Sequence, residues 1–243
     1  MPQPTIAALV PMRHSSERLP GKNWRPFGGR PLFHWIIRTL LDVPEITTIA
    51  VDTDSPVIAD DCASAFPTVR IIERPEHLRA GTVPMNDVIL HDIAQVPADL
   101  YLQTHSTNPL LRAPTIRAAI RRFVEGRATN DSLFGVTRMQ TRLYDAHAKP
   151  INHDPAILLR TQDLPPVYEE NSNIYLFTES LLRRTGTRIG NNPILFEIDR
   201  LEAIDIDDDA GWRLAEAVLA ATPLDDRPPA ARDHQPTAAR HAR

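Results

Sequence analysis

The sequence of 243 residues contains a single cysteine, Cys62, and no apolar run long enough to cross a bilayer. One cysteine excludes a disulfide framework within the chain, and the short apolar runs exclude a membrane-spanning helix. The N-terminus has no basic segment followed by a hydrophobic core, so it does not resemble a secretory signal. These absences predict a cytoplasmic protein without a membrane partner.

Neither sign of charge is in large excess. The 27 lysines and arginines are opposed by 31 aspartates and glutamates, which gives a formal net charge of -4. A nucleic-acid-binding surface normally requires a basic excess, so no nucleic-acid partner is predicted and any phosphate site must be local. The length favours one main domain, predicted over residues 1–222, followed by a disordered tail over 223–243 that has almost no large apolar residue.

Short apolar strands alternate with amphipathic helices over the first part of the chain. Strands are predicted at 5–10, 46–51, 69–72, 100–103 and 132–136, and helices at 31–41, 55–66, 84–96 and 114–126. This alternation is typical of an α/β fold with a mostly parallel sheet between two layers of helices. Ligands of such sheets bind at the carboxyl ends of the strands, so polar clusters that directly follow strands are the candidate sites.

The alternation stops after about residue 138. The following segment is rich in Arg, Asp, His and Pro, and we interpret it as an inserted arm at about 140–172. Beyond it, the pattern predicts strands at 173–177 and 201–206 and helices at 180–184 and 210–221.

The first candidate cluster follows the first strand and reads PMRHSSERLPGKN, residues 11–23. Arg13, Arg18 and Lys22 stand among small and turn-forming residues, a combination that allows backbone amides and cations to converge on a triphosphate. The P-loop pattern GxxxxGK[ST] is absent. A solvated basic loop is the alternative.

Two further clusters follow later strands. Arg74 comes after the strand at 69–72, where an isolated arginine is usually a surface charge. The run QTHSTNPLLR, residues 103–112, follows the next strand and offers amide and hydroxyl groups that can read the edge of a base. A polar turn is the alternative, and His105 has no second residue at metal-ligand spacing.

The last cluster is the acidic run at residues 205–209. Alternation along the predicted strand places Asp205 and Asp207 on one face and Ile206 on the other, so the two carboxylates can share one Mg²⁺ ion. Capping of the final helix by Asp207 or Asp208 is an alternative role that is compatible with metal binding.

Taken in this order, the clusters resemble the acylneuraminate cytidylyltransferases, or CMP-sialic acid synthetases, and more distantly the CMP-Kdo synthetases. The first loop of that family reads approximately P-A-R-x-x-S-K-G-L-P-G-K-N, and the matching residues are Pro11, Arg13, Ser16, Leu19, Pro20, Gly21, Lys22 and Asn23. The resemblance implies a three-layer, Rossmann-like nucleotidyltransferase fold and a CTP site that includes Pro11. It assigns Arg13 and Lys22 to the phosphates and Asn23 to the nucleoside end. Arg18, which stands where sialate enzymes have glycine, is similar to the Kdo branch and adds a phosphate-binding cation.

Later motifs extend the resemblance to about residue 221. Arg74 begins an R-P-x-x-L element near the cytosine and ribose, and Gln103 is assigned to the base and the acceptor. His105 and Asn108 depart from the family pattern and suggest a specialised acceptor pocket. Asp205 and Asp207 match the closing I-D-I-D element that holds Mg²⁺.

The run RTQDLPPVYEEN, residues 160–171, is similar to a dimerisation arm of the family that also reaches the acceptor site. The resemblance therefore implies a homodimer, with Arg160 and Tyr168 directed toward an acidic acceptor.

The activity implied is an enzymatic, Mg²⁺-dependent transfer of CMP from CTP to an acidic small molecule, such as a nonulosonic sugar acid, with release of pyrophosphate. Two alternatives remain open: a phosphonate or phosphinate acceptor in natural-product biosynthesis, and a catalytically silent nucleotide-binding homologue. A sugar-1-phosphate nucleotidyltransferase is disfavoured because its glycine-rich G-x-G-T-R loop is missing.

Overall fold

The computed structural model describes residues 3–221, so the predicted tail at 223–243 lies outside the described residues. The strands are β1 (Ile6–Met12), β2 (Pro26–Phe27), β3 (Arg30–Pro31), β4 (Thr48–Thr53), β5 (Arg70–Glu73), β6 (Leu100–Gln103), β7 (Ser132–Met139), β8 (Val167–Phe177) and β9 (Pro193–Glu197). The helices are α1 (Leu32–Leu41), α2 (Pro56–Ala65), α3 (Met85–Gln95), α4 (Ala113–Gly126), α5 (Glu179–Thr185) and α6 (Asp209–Ala221). Among these residues, no helix is long and apolar enough to cross a membrane.

A seven-stranded sheet forms the centre of the molecule, in the order β5-β4-β1-β6-β8-β7-β9. β1 pairs in parallel with β4 and β6, and β4 pairs in parallel with β5. β8 is antiparallel to both of its neighbours, whereas β7 and β9 are parallel. The predicted mostly parallel sheet is therefore confirmed, with one reversed strand.

Helices cover both faces of the sheet, which explains why β1 is buried along its whole length. Alternate residues of β1 enter different cores: Ile6, Ala8 and Val10 pack in the core that contains α1, α2 and α4. Ala7 and Leu9 pack in the core that contains α3 and α5. Each large apolar side chain buried in this way stabilises the fold by roughly 1.5–3 kcal/mol. The predicted three-layer α/β architecture is confirmed.

α6 returns to the start of the chain and packs against the β2–β3 hairpin, in a third apolar cluster. The rings of Phe27 and Trp212 meet edge to face with their centroids 5.5 Å apart. Gly28 begins the turn of the hairpin with φ 53°, and a Cβ at this position would collide with Leu219 of α6. The hairpin was not predicted, because it lies within the segment that the sequence pattern assigns to a long loop.

The strand predicted at 201–206 is wrong. These residues form turns and irregular structure, and the last strand is instead β9, which pairs in parallel with β7. The pattern was misleading because Ile206 is fully buried by packing in the cluster beneath α6 and not by membership of the sheet. β9 is an edge strand that begins at a proline, a position where the missing N–H costs little.

The predicted arm corresponds to the connection between β7 and β8 and to the first half of β8. Residues 140–166 contain one short 3₁₀ turn at Thr161–Asp163 and an isolated bridge between Tyr144 and Pro150. Leu158 in this connection is 88% exposed. β8 begins at Val167 and is therefore longer than the predicted strand at 173–177.

Candidate active site

A cavity of about 470 Å³ lies at the carboxyl ends of β1, β5 and β6. The sequence-predicted residues that line it come from all four clusters: Pro11, Arg13, Arg18, Lys22, Asn23, Arg74, His105, Asp205 and Asp207. The position agrees with the rule that open parallel sheets bind ligands where their strands end.

Asp207 lies against two cations of the first loop. Its carboxylate is 2.9 Å from the Arg18 guanidinium and 3.3 Å from Lys22 Nζ. Lys22 Nζ also donates to the backbone carbonyl of Ile206 at 2.7 Å. Burial opposes ionisation of Asp207, but Lys22 and Arg18 outweigh it and hold the pKa of Asp207 below its usual range.

Asp205 lines the same cavity, and no lysine or arginine among residues 3–221 forms an ion pair with it. Its Oδ1 is buried and has no hydrogen-bond partner among residues 3–221. Burial raises the pKa of this carboxyl, and the charge of Asp207 contributes to the rise. An unpartnered carboxylate oxygen beside a second carboxylate is a suitable ligand pair for a hard divalent cation.

The neighbouring Asp208 has a different role. Its Oδ1 accepts a hydrogen bond from the backbone N–H of Gly211 at 2.8 Å, at the beginning of α6. Of the two N-caps considered from the sequence, the structure therefore identifies Asp208. Asp205 and Asp207 face the cavity although they do not belong to a strand, because Ile206 between them turns into the core.

Asn23 connects the first loop to the loop after β6. Its amide nitrogen donates to the Arg13 carbonyl at 3.0 Å, and its amide oxygen accepts from the Ser106 hydroxyl at 2.7 Å. Both functional atoms of the side chain are thus engaged within the protein. Asn23 therefore holds the first loop against the loop after β6. This structural role is additional to the nucleoside contact that the resemblance implies.

Arg74 is buried in the wall of the cavity, with 2% of its surface exposed. Its guanidinium is paired with the fully buried carboxylate of Asp52 at the end of β4. Its carbonyl accepts from Arg79 Nε at 2.9 Å, which fixes the backbone of the loop. The alternative of a surface charge is excluded by this burial.

The segment after Arg74 covers one side of the cavity and was not assigned from the sequence. Gly81 approaches the first loop so closely that a Cβ would lie 2.7 Å from Arg13 Nη1 and 2.9 Å from Glu17 Oε1. Any larger residue at position 81 would displace the flexible ends of these two side chains.

His105 forms the wall opposite the first loop. Burial lowers its pKa to about 4, and the positive charges of Arg188 and Lys22 act in the same direction. The ring is therefore neutral at physiological pH. Its Nε2 accepts a hydrogen bond from the Gln103 side-chain amide at 2.9 Å, which leaves the ring proton on Nδ1.

Four predicted acceptor or base contacts do not line the cavity. Gln103 and Asn108 are fully buried beneath it, and Asn108 donates to the Ile204 carbonyl at 3.4 Å. Arg160 is exposed on the arm and pairs with Asp163 at 2.6 Å. Tyr168 is 41% exposed in the first half of β8. The buried amides of Gln103 and Asn108 therefore do not reach the cavity, and Arg160 and Tyr168 do not line it within one chain.

Comparison with known proteins decides the family. The cytidylyltransferase profile matches residues 7–217. The chain belongs to the cytidylyltransferase family.

The related cytidylyltransferases confirm the resemblance seen in the motifs. The chain is 26% identical over 218 residues to N-acylneuraminate cytidylyltransferase A of Danio rerio, covering 87% of this chain and 50% of that protein. It is 29% identical over 235 residues to CMP-N,N'-diacetyllegionaminic acid synthase of Legionella pneumophila, covering 88% and 96%. The chain thus spans about half the length of the Danio rerio relative.

Solved structures confirm the fold. CMP:2-keto-3-deoxy-manno-octonic acid synthetase, solved with CTP, superposes with a TM-score of 0.64 at 15% identity and covers 89% of this chain and 99% of that chain. At 15% identity, this similarity shows that the two proteins share a fold.

Proposed function

We propose that this cytidylyltransferase transfers a cytidylyl group from CTP to an acidic small-molecule acceptor and releases pyrophosphate. The observation that carries the proposal is the convergence in one cavity of the cations Arg13, Arg18 and Lys22 with the carboxylates Asp205 and Asp207. Phosphoryl-type transfer depends mainly on positioning and on neutralisation of charge, and these residues provide both.

Asp207 keeps the phosphate-binding cations in place before the nucleotide arrives. Arg18 and Lys22 share its carboxylate in the free protein. A triphosphate carries more negative charge than one carboxylate and offers bidentate contacts to arginine, so it draws both cations toward itself. Asp207 then loses its two partners and becomes available as a metal ligand.

Asp205 and Asp207 are suited to hold a Mg²⁺ ion. The buried, unpartnered Oδ1 of Asp205 is the atom that most needs a cation, and its position in the cavity wall supports this assignment. When bound, Mg²⁺ would neutralise charge on the phosphate oxygens of the nucleotide.

The reaction is an in-line displacement at the α-phosphorus of CTP. A bond forms between an acceptor oxygen and the α-phosphorus as the bond to the pyrophosphate oxygen breaks, and Arg13, Arg18 and Lys22 stabilise the charge that develops on the leaving group. His105, with a pKa of about 4, is a poor proton acceptor at neutral pH. An acceptor oxygen that is already ionised needs no base, and the proton of a hydroxyl acceptor passes to solvent.

The wall near His105 supports an anionic acceptor. Ser172 lines the cavity there with φ 58°, and its hydroxyl is 3.4 Å from that of Tyr175. The Arg188 guanidinium lies over the Tyr175 ring, 3.9 Å from its centroid. The buried Arg188 Nε has no hydrogen-bond partner among the described residues. A partly buried cation with a free donor favours a negatively charged group nearby.

Sugar acids are the first candidate acceptors, because two relatives are named for N-acylneuraminate and N,N'-diacetyllegionaminic acid. A phosphonate or phosphinate is the second candidate. Arg18 lines the cavity, and the charge of Arg188 acts on His105 in the cavity wall, so this region suits a compact acceptor with two ionised oxygens.

The arm supports assembly as a homodimer. It exposes the apolar side chains of Ile157, Leu158 and Tyr168, and such exposure is typical of a surface that a partner covers. Arg160 and Tyr168 do not reach the cavity of their own chain, so a contact with the acceptor requires the cavity of a second copy. Sedimentation of the purified chain would test this assembly.

Pyrophosphate release from CTP tests the function directly. The protein is incubated with CTP, Mg²⁺ and either a sialic-acid-like sugar acid or a small phosphonate, and Asp207→Ala serves as the inactive control. Turnover with either class supports cytidylyl transfer and identifies the acceptor. Tight CTP binding in calorimetry without turnover on either class would instead identify a silent nucleotide-binding homologue.

A further inference from the structure

A second pair of aspartates lies beneath the cavity. Asp52 ends β4 and is 1% exposed, and Asp92 on α3 is 0% exposed. One oxygen from each carboxyl and one ring nitrogen of His91 lie within 4.8 Å of one another. Arg74 connects the pair to the cavity, because it binds Asp52 and also lines the cavity wall.

The hydrogen bonds of this pair are incomplete if both carboxyls are ionised. Asp52 Oδ1 accepts from Arg74, but Asp52 Oδ2 and both oxygens of Asp92 have no partner among the described residues. Two carboxylates cannot satisfy each other, because neither has a donor. One proton on Asp92 supplies the missing donor and removes one of two like charges from a buried site.

The electrostatic surroundings favour this protonation. Burial, followed by the charge of Asp52, raises the pKa of Asp92 to about 9. Arg74 and His91 are the other charged or titratable groups around the pair, and the Arg74 guanidinium interacts mainly with Asp52. Asp52 therefore keeps the negative charge and Asp92 keeps the proton.

A metal ion is a poor occupant of the same cluster. A divalent cation bound by Asp52, His91 and Asp92 would lie beside the Arg74 guanidinium and compete with it for Asp52. The repulsion between two cations in a buried site is strong because little water screens it.

We propose that Asp92 is a neutral carboxylic acid whose O–H donates a hydrogen bond to Asp52, and that this hydrogen bond positions Arg74 in the wall of the nucleotide cavity. Asp92 is thus a positioning residue that acts through Asp52. Arginine has many rotamers. When Asp92 fixes the carboxylate of Asp52, the ion pair with that carboxylate limits the Arg74 guanidinium to one orientation. The effect on CTP binding rests on the proposed function, whereas the protonation and the fixed arginine do not.

Two matched variants distinguish the effect of the hydrogen-bond donor at position 92 from the effect of side-chain volume. Asp92→Asn keeps a donor for Asp52, and Asp92→Leu has a similar volume but no donor. Asp92→Asn is expected to retain the KM for CTP within about twofold, and Asp92→Leu to raise it about tenfold with little change in kcat. Equal effects of the two variants, or no effect of Asp92→Leu, would overturn the positioning role.

Two spectroscopic measurements test the inference without any turnover. The infrared carbonyl band of an un-ionised carboxylic acid should be present in the wild-type protein at neutral pH and absent in both variants. The NMR signal of Arg74 Nε–H, assigned with Arg74→Lys, should exchange slowly in wild type and Asp92→Asn and faster in Asp92→Leu. A wild-type spectrum without the acid band, or with a band that Mg²⁺ or Zn²⁺ removes, would refute the proposal even if CTP proves not to be the substrate.

Discussion

Two pairs of aspartates lie on different sides of one cavity and differ in what neutralises them. Asp205 and Asp207 are reached from the cavity, and Asp207 is balanced by Arg18 and Lys22. Asp52 and Asp92 lie behind the wall, where one arginine balances one carboxylate. In the open pair, Asp205 and Asp207, both carboxylates line the cavity, whereas in the closed pair, Asp52 and Asp92, neither carboxylate lines it.

Both pairs consist of two aspartates, so their different surroundings follow from their position: one pair lines the cavity and the other lies behind its wall. On the proposed function, Asp205 and Asp207 exchange protein cations for a metal ion when the nucleotide supplies phosphates for those cations. Asp52 and Asp92 cannot exchange their partners, and a proton is the only cation small enough to relieve their repulsion. Four predictions test this distinction, in order of decreasing effect.

Removal of one carboxylate from the open pair should have the largest effect. Asp207→Ala is expected to lower kcat/KM by about 1,000-fold, because an electrostatic group that acts on the transition state is lost. The measurement is Mg²⁺-dependent pyrophosphate release. Asp208→Ala is the matched control within the same acidic run: loss of its N-cap should cost about 1 kcal/mol of stability and leave turnover intact. Similar losses of activity in both variants would contradict the distinction.

Neutralising one member of each pair should change stability in opposite directions. Asp52→Asn leaves the buried Arg74 without its counterion and is expected to lower the free energy of unfolding by about 3 kcal/mol. Asp205→Asn removes a carboxylate that burial disfavours, so at neutral pH it is expected to raise the free energy of unfolding by roughly 0.5–2 kcal/mol while turnover is lost. Urea unfolding of the metal-free proteins measures both. Changes of the same sign would show that the pairs do not differ as described.

Arg18→Ala tests whether a cation that pairs with Asp207 also contributes to the binding of CTP. The KM for CTP should rise about tenfold, since one phosphate contact is lost. Arg18 is 65% exposed, so removal of its surface ion pair should change the free energy of unfolding by less than about 1 kcal/mol. A large loss of stability with an unchanged KM would assign Arg18 to the fold instead.

The pH dependence of stability gives the smallest change when it is taken per pH unit. The native pKa of Asp92, about 9, exceeds its value in the unfolded chain, so the native state retains a proton that the unfolded state releases. This stabilising contribution is complete below about pH 4 and declines as the pH rises toward 9, by at most about 1.4 kcal/mol per pH unit. In urea unfolding across this range, Asp92→Asn should show a shallower decline than the wild-type protein. Parallel profiles would contradict the protonated acid.

The open pair could be recognised in the sequence because its two members are separated by one residue and precede a helix. The strand on which the prediction relied does not exist, yet Ile206 turns inward and both aspartates turn outward, as alternation requires. The same local pattern of burial is produced by an edge strand and by an irregular extended segment that packs beneath a helix. The alternation therefore predicted the position of the two aspartates correctly, but it could not show whether they belong to a strand.

The closed pair could not be recognised, because nothing near Asp52 or Asp92 in the sequence indicates that they meet. Their contact depends on how α3 packs on the sheet. Asn23 shows the same limit: the motif identified it, but only the structure reveals that Ser106 and Arg13 use both ends of its amide. Local patterns specify elements and loops, whereas long-range pairing specifies the wall of the cavity.

The bond from Lys22 Nζ to the carbonyl of Ile206 joins residues that are 184 positions apart. During translation the first loop leaves the ribosome early, and the acidic segment that completes the cavity follows only near the end of the described chain. A nascent chain or a product truncated before residue 205 therefore has the basic loop without its counter-charge and without the aspartates proposed to bind Mg²⁺. The site is completed late in synthesis, so an incomplete chain lacks the parts proposed for turnover.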